Sequence, residues 1–198
     1  MRKFIVFLSL ACQLCYLPAL AQKTFFAHSA GVAFYGATDY LSGGLMYSPR
    51  MNVAVLSERS TFSIGTHLGL GGSFDYDYNT YDGGASNSVS VFIDVPLMVE
   101  YNFGNAATRV ANTKFGGFVG AGYGWHKLIQ SVDTEFGSFS SNTTSRGPVV
   151  NAGFRFPIGH ASFGVRCAYL INTDEISVLD GVGSVAFVYN IGAWINRR

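Results

Sequence analysis

The sequence predicts an all-β fold: an eight-stranded antiparallel up-and-down transmembrane β-barrel, preceded by a cleaved signal peptide. Three observations carry this. The chain is 48% hydrophobic but only 13% charged over 198 residues, about half the charged share of an ordinary soluble domain. Beyond its leader it has no continuous apolar run of the ~20 residues that a spanning helix needs. Its apolar residues fall instead on every second position, as in strands that turn one face to hydrocarbon. A chain that is apolar in total but never in a long block fits a closed sheet, which satisfies its backbone polar groups within lipid.

The elements follow in chain order. Residues 1–21 carry Arg2 and Lys3, an apolar run, and Ala19-Leu20-Ala21 before Gln22. This is the layout of a secretory signal peptide with a small-x-small cleavage site, which leaves 22–198 as the barrel. Gln13 and Pro18 interrupt the run, so it does not read as a membrane anchor. Cys12 does not complete a lipoprotein signal, because Ser9 stands where Leu is expected. Cys12 and Cys15 leave with the leader, and Cys167 then has no intramolecular disulfide partner. Loss of Arg2 and Lys3 takes 13 basic residues to 11 against 12 acidic ones, about −1 net. That near-neutral balance excludes a nucleic-acid-binding role.

The first strand, 24–36, has the faintest alternation, and 45–56 is the next faintest, with Tyr47, Met51, Val53 and Val55 on one parity. Segment 61–73 sets Phe62, Ile64, Leu68 and Leu70 against Ser63, His67 and glycines. The clearest segment is 89–103. There Val89, Val91, Ile93, Val95, Leu97, Val99, Tyr101 and Phe103 share one parity, while Ser90, Phe92, Asp94, Pro96, Met98, Glu100 and Asn102 lie on the other. At that length it exceeds an ordinary globular strand of ~5–6 residues. Segments 114–128, 147–157, 161–171 and 182–195 repeat the pattern with Phe115, Val119, Tyr123 and Trp125, with Val150, Phe154 and Phe156, with Phe163, Val165, Cys167 and Tyr169, and with Val185, Phe187, Tyr189 and Ile191.

Connections 37–43, 74–88, 129–146 and 172–181 are mostly long and polar, whereas 57–60, 104–113 and 158–160 are shorter. Long loops outward and short turns toward the periplasm is the arrangement of bacterial outer-membrane barrels. Aromatics gather near both expected interfaces: Phe62, Tyr101, Phe103, Phe115, Phe156, Tyr189 and Trp194 at the periplasmic ends, and Tyr47, Tyr123, Trp125 and Tyr169 at the outer ends.

The side chains opposite the apolar face separate this fold from a soluble lipocalin-type barrel, which turns its large apolar residues inward. Here they are mostly Gly, Ser and Asn with a few charges, a poor coat for a protein in water and a good filling for a narrow barrel. The interior set is Arg50, His67, Asp94, Glu100, His126, Arg155 and Arg166. Buried ions must pair, so the expectation is a polar plug in which Asp94 and Glu100 share the three arginines, with Glu100–Arg155 as the first pair.

Asp94-Val95-Pro96-Leu97-Met98-Val99-Glu100-Tyr101-Asn102-Phe103-Gly104, with Tyr47-Ser48-Pro49-Arg50 and Phe154-Arg155-Phe156-Pro157, resembles the small OmpA/OmpX-type barrels and the outer-membrane β-barrel family common in Bacteroidota. The resemblance spans nearly the whole chain after the leader. It implies an integral outer-membrane location, contact with outer-membrane lipid and recognition by the barrel insertion machinery, and no single activity. One departure stands out: such barrels often end in an aromatic residue, and this chain ends Trp194-Ile195-Asn196-Arg197-Arg198.

Chemistry is sparse. His28-Ser29, and His126 with Ser131, are the places where a lipid-acylating or deacylating site would fall, and neither has triad spacing. In 74–88, Asp75, Asp77 and Asn79 open like a calcium loop, but Thr80 stands where Gly is required and Ser86 where Glu is required. The same segment, Asp75, Tyr76, Asp77, Tyr78, Asn79, Tyr81 and Asp82, is the best candidate binding surface, since tyrosines give large contact area at low entropic cost. The expectation is a non-enzymatic barrel with no cofactor and no metal, whose loops meet an extracellular ligand or another envelope protein. Narrow solute or proton conductance is the second class, and lipid A modification the third.

Overall fold

The computed structural model describes residues 26–37, 40–78, 85–111, 113–134, 137–174 and 179–194. The expected signal peptide at 1–21 lies outside them, as do the last four residues of the chain. The strands are β1 (Phe26–Ala37), β2 (Tyr40–Ser57), β3 (Ser60–Thr66), β4 (Leu68–Tyr78), β5 (Ala85–Gly104), β6 (Gly116–Thr134), β7 (Gly137–Ile158), β8 (Ala161–Ile171) and β9 (Gly181–Trp194). Each pairs antiparallel with its neighbours, and β1 pairs with β9, so the sheet closes on itself. β3 and β4 both lie between β2 and β5 and act as two halves of one stave, which gives the eight-membered ring that the alternation predicts.

The break in that stave differs from the expectation of one continuous strand over 61–73, and two prolines explain it. The β2 ladder lapses between Arg50↔Gly65 and Tyr47↔Leu68, where Pro49 lies. The β5 ladder lapses between Leu97↔Thr66 and Asp94↔Gly69, where Pro96 lies. Proline has no N–H to give a ladder. Both strands remain paired on their other sides, at His28↔Pro49 and Pro96↔Gly124. The gaps therefore converge from two sides on Thr66 and His67.

Facing follows the alternation. Along β5, residues 89–100 alternate between exposed and buried. Leu97 is 65% exposed and Val99 52%, while Phe92, Met98, Glu100 and Asn102 are each 3% exposed or less. The outward set, including Val32, Phe34, Leu45, Ile64, Leu70, Val119, Phe154, Val185 and Phe187, forms an apolar belt around the ring. No helix among the described residues is long and apolar enough to cross a membrane. Toward the periplasmic rim the belt becomes aromatic, with ring contacts Phe62–Tyr101 at 5.3 Å, Phe115–Phe154 at 5.6 Å and Phe163–Tyr189 at 5.4 Å.

Three expectations about connections are corrected. Segments 74–88 and 129–146 are largely strand: β4 runs to Tyr78, β5 starts at Ala85, β6 reaches Thr134 and β7 starts at Gly137. The pairing Thr134↔Gly137 continues without a break to Gly116↔Arg155. These ends project past the lipid-facing length of about 9–11 residues. Water lies on both of their faces there, so no apolar parity marks them in the sequence; the first six residues of β7 are all exposed. Connection 104–113 is only partly a surface turn, because Asn105 to Thr108 are buried while Arg109 and Val110 are exposed. Connection 172–181 does separate β8 from β9.

Candidate functional site: the barrel interior

Even-numbered positions on β5 face inward, and the strands beside it bring their own inward residues to the same heights. All seven residues of the expected polar interior are buried: Arg50, His67, Asp94, Glu100, His126, Arg155 and Arg166. Their pairing differs from the expectation. Glu100 pairs with Arg166, Nη1 to Oε1 at 2.6 Å, and accepts from Asn151 Nδ2 at 2.7 Å. Arg155 serves Asn102 instead, donating from Nη2 to Oδ1 at 2.6 Å. Arg50 also donates to Asn102 Oδ1, while Asn102 Nδ2 donates to Ser63 Oγ at 2.8 Å. Arg155 and Arg166 flank the Phe118 ring from 4.7 and 4.2 Å. Such stacking satisfies guanidinium faces that donate hydrogen bonds only at their edges.

Asp94 meets no arginine. His126 Nδ1 lies 3.3 Å from one carboxylate oxygen and His67 Nε2 lies 3.9 Å from the other. Six residues separate Asp94 from Glu100 on one strand, about 20 Å at ~3.3 Å per residue, which is why the two carboxylates cannot share cations.

The sequence reading missed two parts. The first is the inward fold of the connection after β5. Ala106 has φ 56°, uncommon for a residue with a side chain, and its carbonyl accepts from Arg50. The Ala107 carbonyl accepts from Asn52 Nδ2 at 2.9 Å, and Thr108 Oγ1 donates to the Glu58 carbonyl. Arg155 reaches the Asn105 carbonyl at 3.5 Å, and Ser162 Oγ donates to Asn105 Oδ1 at 2.5 Å. These contacts fold peptide groups of the connection into one end of the barrel as a plug, which no motif marks. The second is apolar. Tyr35, Met46, Phe92, Met98, Leu128, Val149, Leu170, Val182 and Val188 cluster inside the barrel, and the Tyr35 and Phe92 rings stand 4.4 Å apart. The interior is thus not filled by small residues and ions alone.

The two candidate hydrolytic positions do not assemble. His126 faces inward at 0% exposure, while Ser131, five residues on, lies on the outward parity. His28 Nδ1 hydrogen-bonds Tyr47 Oη at 2.6 Å on an exposed face, and Ser29 turns inward toward the Ser48 carbonyl. No metal-binding group of three or more His, Cys, Asp or Glu occurs among the described residues. In the Asp75–Asp82 surface, β4 carries residues 75–78 on its outward extension, and Asn79, Tyr81 and Asp82 lie outside the described residues.

No family model and no curated protein matches the chain. Solved structures do. The attachment invasion locus protein Ail of Yersinia pestis is 15% identical over 84% of this chain and 97% of its own, with TM-score 0.50. The same protein in complex with the heparin analogue sucrose octasulfate is 13% identical over 86% of this chain and 100% of its own, with TM-score 0.51. This chain has the fold of the small bacterial outer-membrane β-barrels, and it carries the outward apolar belt that such barrels turn to hydrocarbon.

Proposed function

We propose that the barrel is a non-enzymatic membrane anchor whose outward hairpins, β4–β5 and β6–β7, dock a partner at the cell surface. One observation carries this: the paired strands continue beyond the apolar belt, from Gly69↔Asp94 up to Tyr78↔Ala85 and through Thr134↔Gly137, while the interior beneath them is packed. Paired backbone gives these extensions a defined shape, so binding does not require ordering a free loop. The two candidate hydroxyl and imidazole pairings noted in the sequence, His28 with Ser29 and His126 with Ser131, are split between faces, which supports a binding role over lipid modification.

Charge indicates the kind of partner. Among the described residues of the outward part, Asp75, Asp77, Asp133, Asp174 and Asp180 stand against Lys127 and Arg146, and Arg146 Nε is itself 3.1 Å from Asp174. At the other end Arg50, Arg59, Arg109, Lys114, Arg155 and Arg166 stand against Glu58 and Glu100. An acidic, tyrosine-bearing extension favours a cationic surface. Ail was crystallised with a polyanion, and by this reasoning the present chain has the opposite preference.

The test joins Ser73 to Ser90 and Ile129 to Asn142, each a pair of register partners, through two-residue Asn-Gly turns. The shortened chain is expected to stay compact on unheated gels and to lose retention on polylysine beads that the intact chain shows, with neither held on heparin beads. Retention unchanged by the deletion would refute the docking assignment. Stepwise conductance in a planar bilayer would instead support the narrow-pore reading.

A further inference from the structure

The periplasmic half of the barrel concentrates cationic charge that its own residues do not neutralise. Arg50, Arg155 and Arg166 are each 8% exposed or less, and the carboxylate among them is Glu100. Guanidinium groups do not deprotonate in proteins. Asp94 is about 20 Å away along β5 and faces His67 and His126. Glu58, in the β2–β3 turn, is exposed. Arg109 and Lys114 in the plug segment add further positive charge to this end. The buried set therefore has two positive charges in excess, in surroundings where an uncompensated ion is expensive.

A cavity lies among these charges. It measures about 30 Å³, and its wall includes Ser48, Thr66, Arg50, Arg109 and Arg166, with Glu100 as the one carboxylate. That volume exceeds the ~10–15 Å³ that one water requires, so it admits one small ion. Three donors at its wall have no protein partner among the described residues: Arg166 Nε, Ser48 Oγ and Thr66 Oγ1. Arg166 spends Nη1 on Glu100, and Arg50 spends its guanidinium on Asn102 and the Ala106 carbonyl. A buried donor left unmade costs free energy, and three of them beside surplus positive charge define a site for an acceptor with negative charge.

We propose that this cavity is a built binding site for one small monovalent anion of chloride size, held by Arg166, Arg50 and Ser48 behind the plug that Asn105 to Thr108 form. The anion locks the plug to the barrel wall, because Arg50 touches both the cavity and the Ala106 carbonyl. This site is independent of the outward docking surface, so either assignment stands if the other fails.

The experiment uses the full chain purified from membranes in nonionic detergent. Its thermal unfolding is followed in sodium chloride and in sodium gluconate at equal ionic strength. The midpoint is expected to rise with chloride along a saturating curve and to stay flat with gluconate, which is too large for the cavity. Ser48→Ala removes one donor at little cost to folding and should shift half-saturation to roughly tenfold higher chloride, the loss of about one hydrogen bond to a charged group. Glu100→Gln raises the charge excess and should shift half-saturation to lower chloride, although the variant is less stable in gluconate. Crystals soaked in bromide should show anomalous density between Arg50, Arg166 and Ser48. Equal midpoints in the two salts, a chloride response unaltered by Ser48→Ala, or bromide found only elsewhere would each overturn the site; a cavity holding water alone gives the first and second of these results.

Discussion

At the scale of single residues, the interior is organised around groups that share one acceptor or one ring. Asn102 takes two arginines on one oxygen and donates a hydrogen bond to Ser63, and two guanidiniums stack on the Phe118 ring. Phe118 has room because its cross-strand partner is Gly153, where a Cβ would stand 2.3 Å from the ring. Gly153→Val is expected to lower the unfolding temperature in detergent, and Phe118→Leu in the same chain should recover part of the loss; strict additivity of the two changes would contradict this packing. Glu100→Ala leaves Arg166 buried without its carboxylate. A loss of about 3–5 kcal/mol is expected, read as earlier conversion of the compact gel form on heating. No change in that conversion would mean that the pair carries no stability.

At the scale of elements, the third stave is the weak one. Its two halves lose ladder bonds at the same height toward Pro49 on β2 and Pro96 on β5. Pro96 is fully buried, so a β-branched replacement fits the space and supplies the absent donor. Pro96→Val should slow hydrogen exchange at the amides of residues 66–69 and add about 1 kcal/mol of stability, the net value of one hydrogen bond. Exchange as fast as in the parent chain would show that proline is not what breaks the stave. Both prolines stand in the sequence inside otherwise regular alternation, so the break was legible in principle. Its position needed the register, since only pairing shows that Pro49 and Pro96 converge on Thr66 and His67. The outward extensions were illegible for a different reason: with water on both faces, residues such as Ser140 to Thr144 carry no period-two signal.

For the molecule as a whole, the decisive property is which side of the sheet meets hydrocarbon. Leu97 lies on the lipid face at 65% exposure, and Val89 lies on the same face nearer the outer rim at 43%. In a membrane barrel Leu97→Arg should cost about 2–4 kcal/mol and Val89→Arg about 0–1. On a water-facing surface both would fall within about 0.5 kcal/mol of neutral. Folding titrations into lipid vesicles distinguish the cases, and equal small effects at the two positions would reverse the sheet. The acidic outward part and basic periplasmic part add a polarity along the axis that is absent from the total, because the whole-chain charge is only +1.

The sequence by itself determined the architecture: all-β, eight staves, and which parity of each strand turns its apolar side chains outward. It did so because a period-two pattern records the face of every residue and because lipid makes that pattern strict. Tertiary structure alone decided who pairs with whom. Glu100 meets Arg166 rather than Arg155, Asp94 meets two histidines, and the connection after β5 turns inward. Those outcomes depend on register, shear and the reach of side chains across a closed ring, and parity along one strand contains none of these.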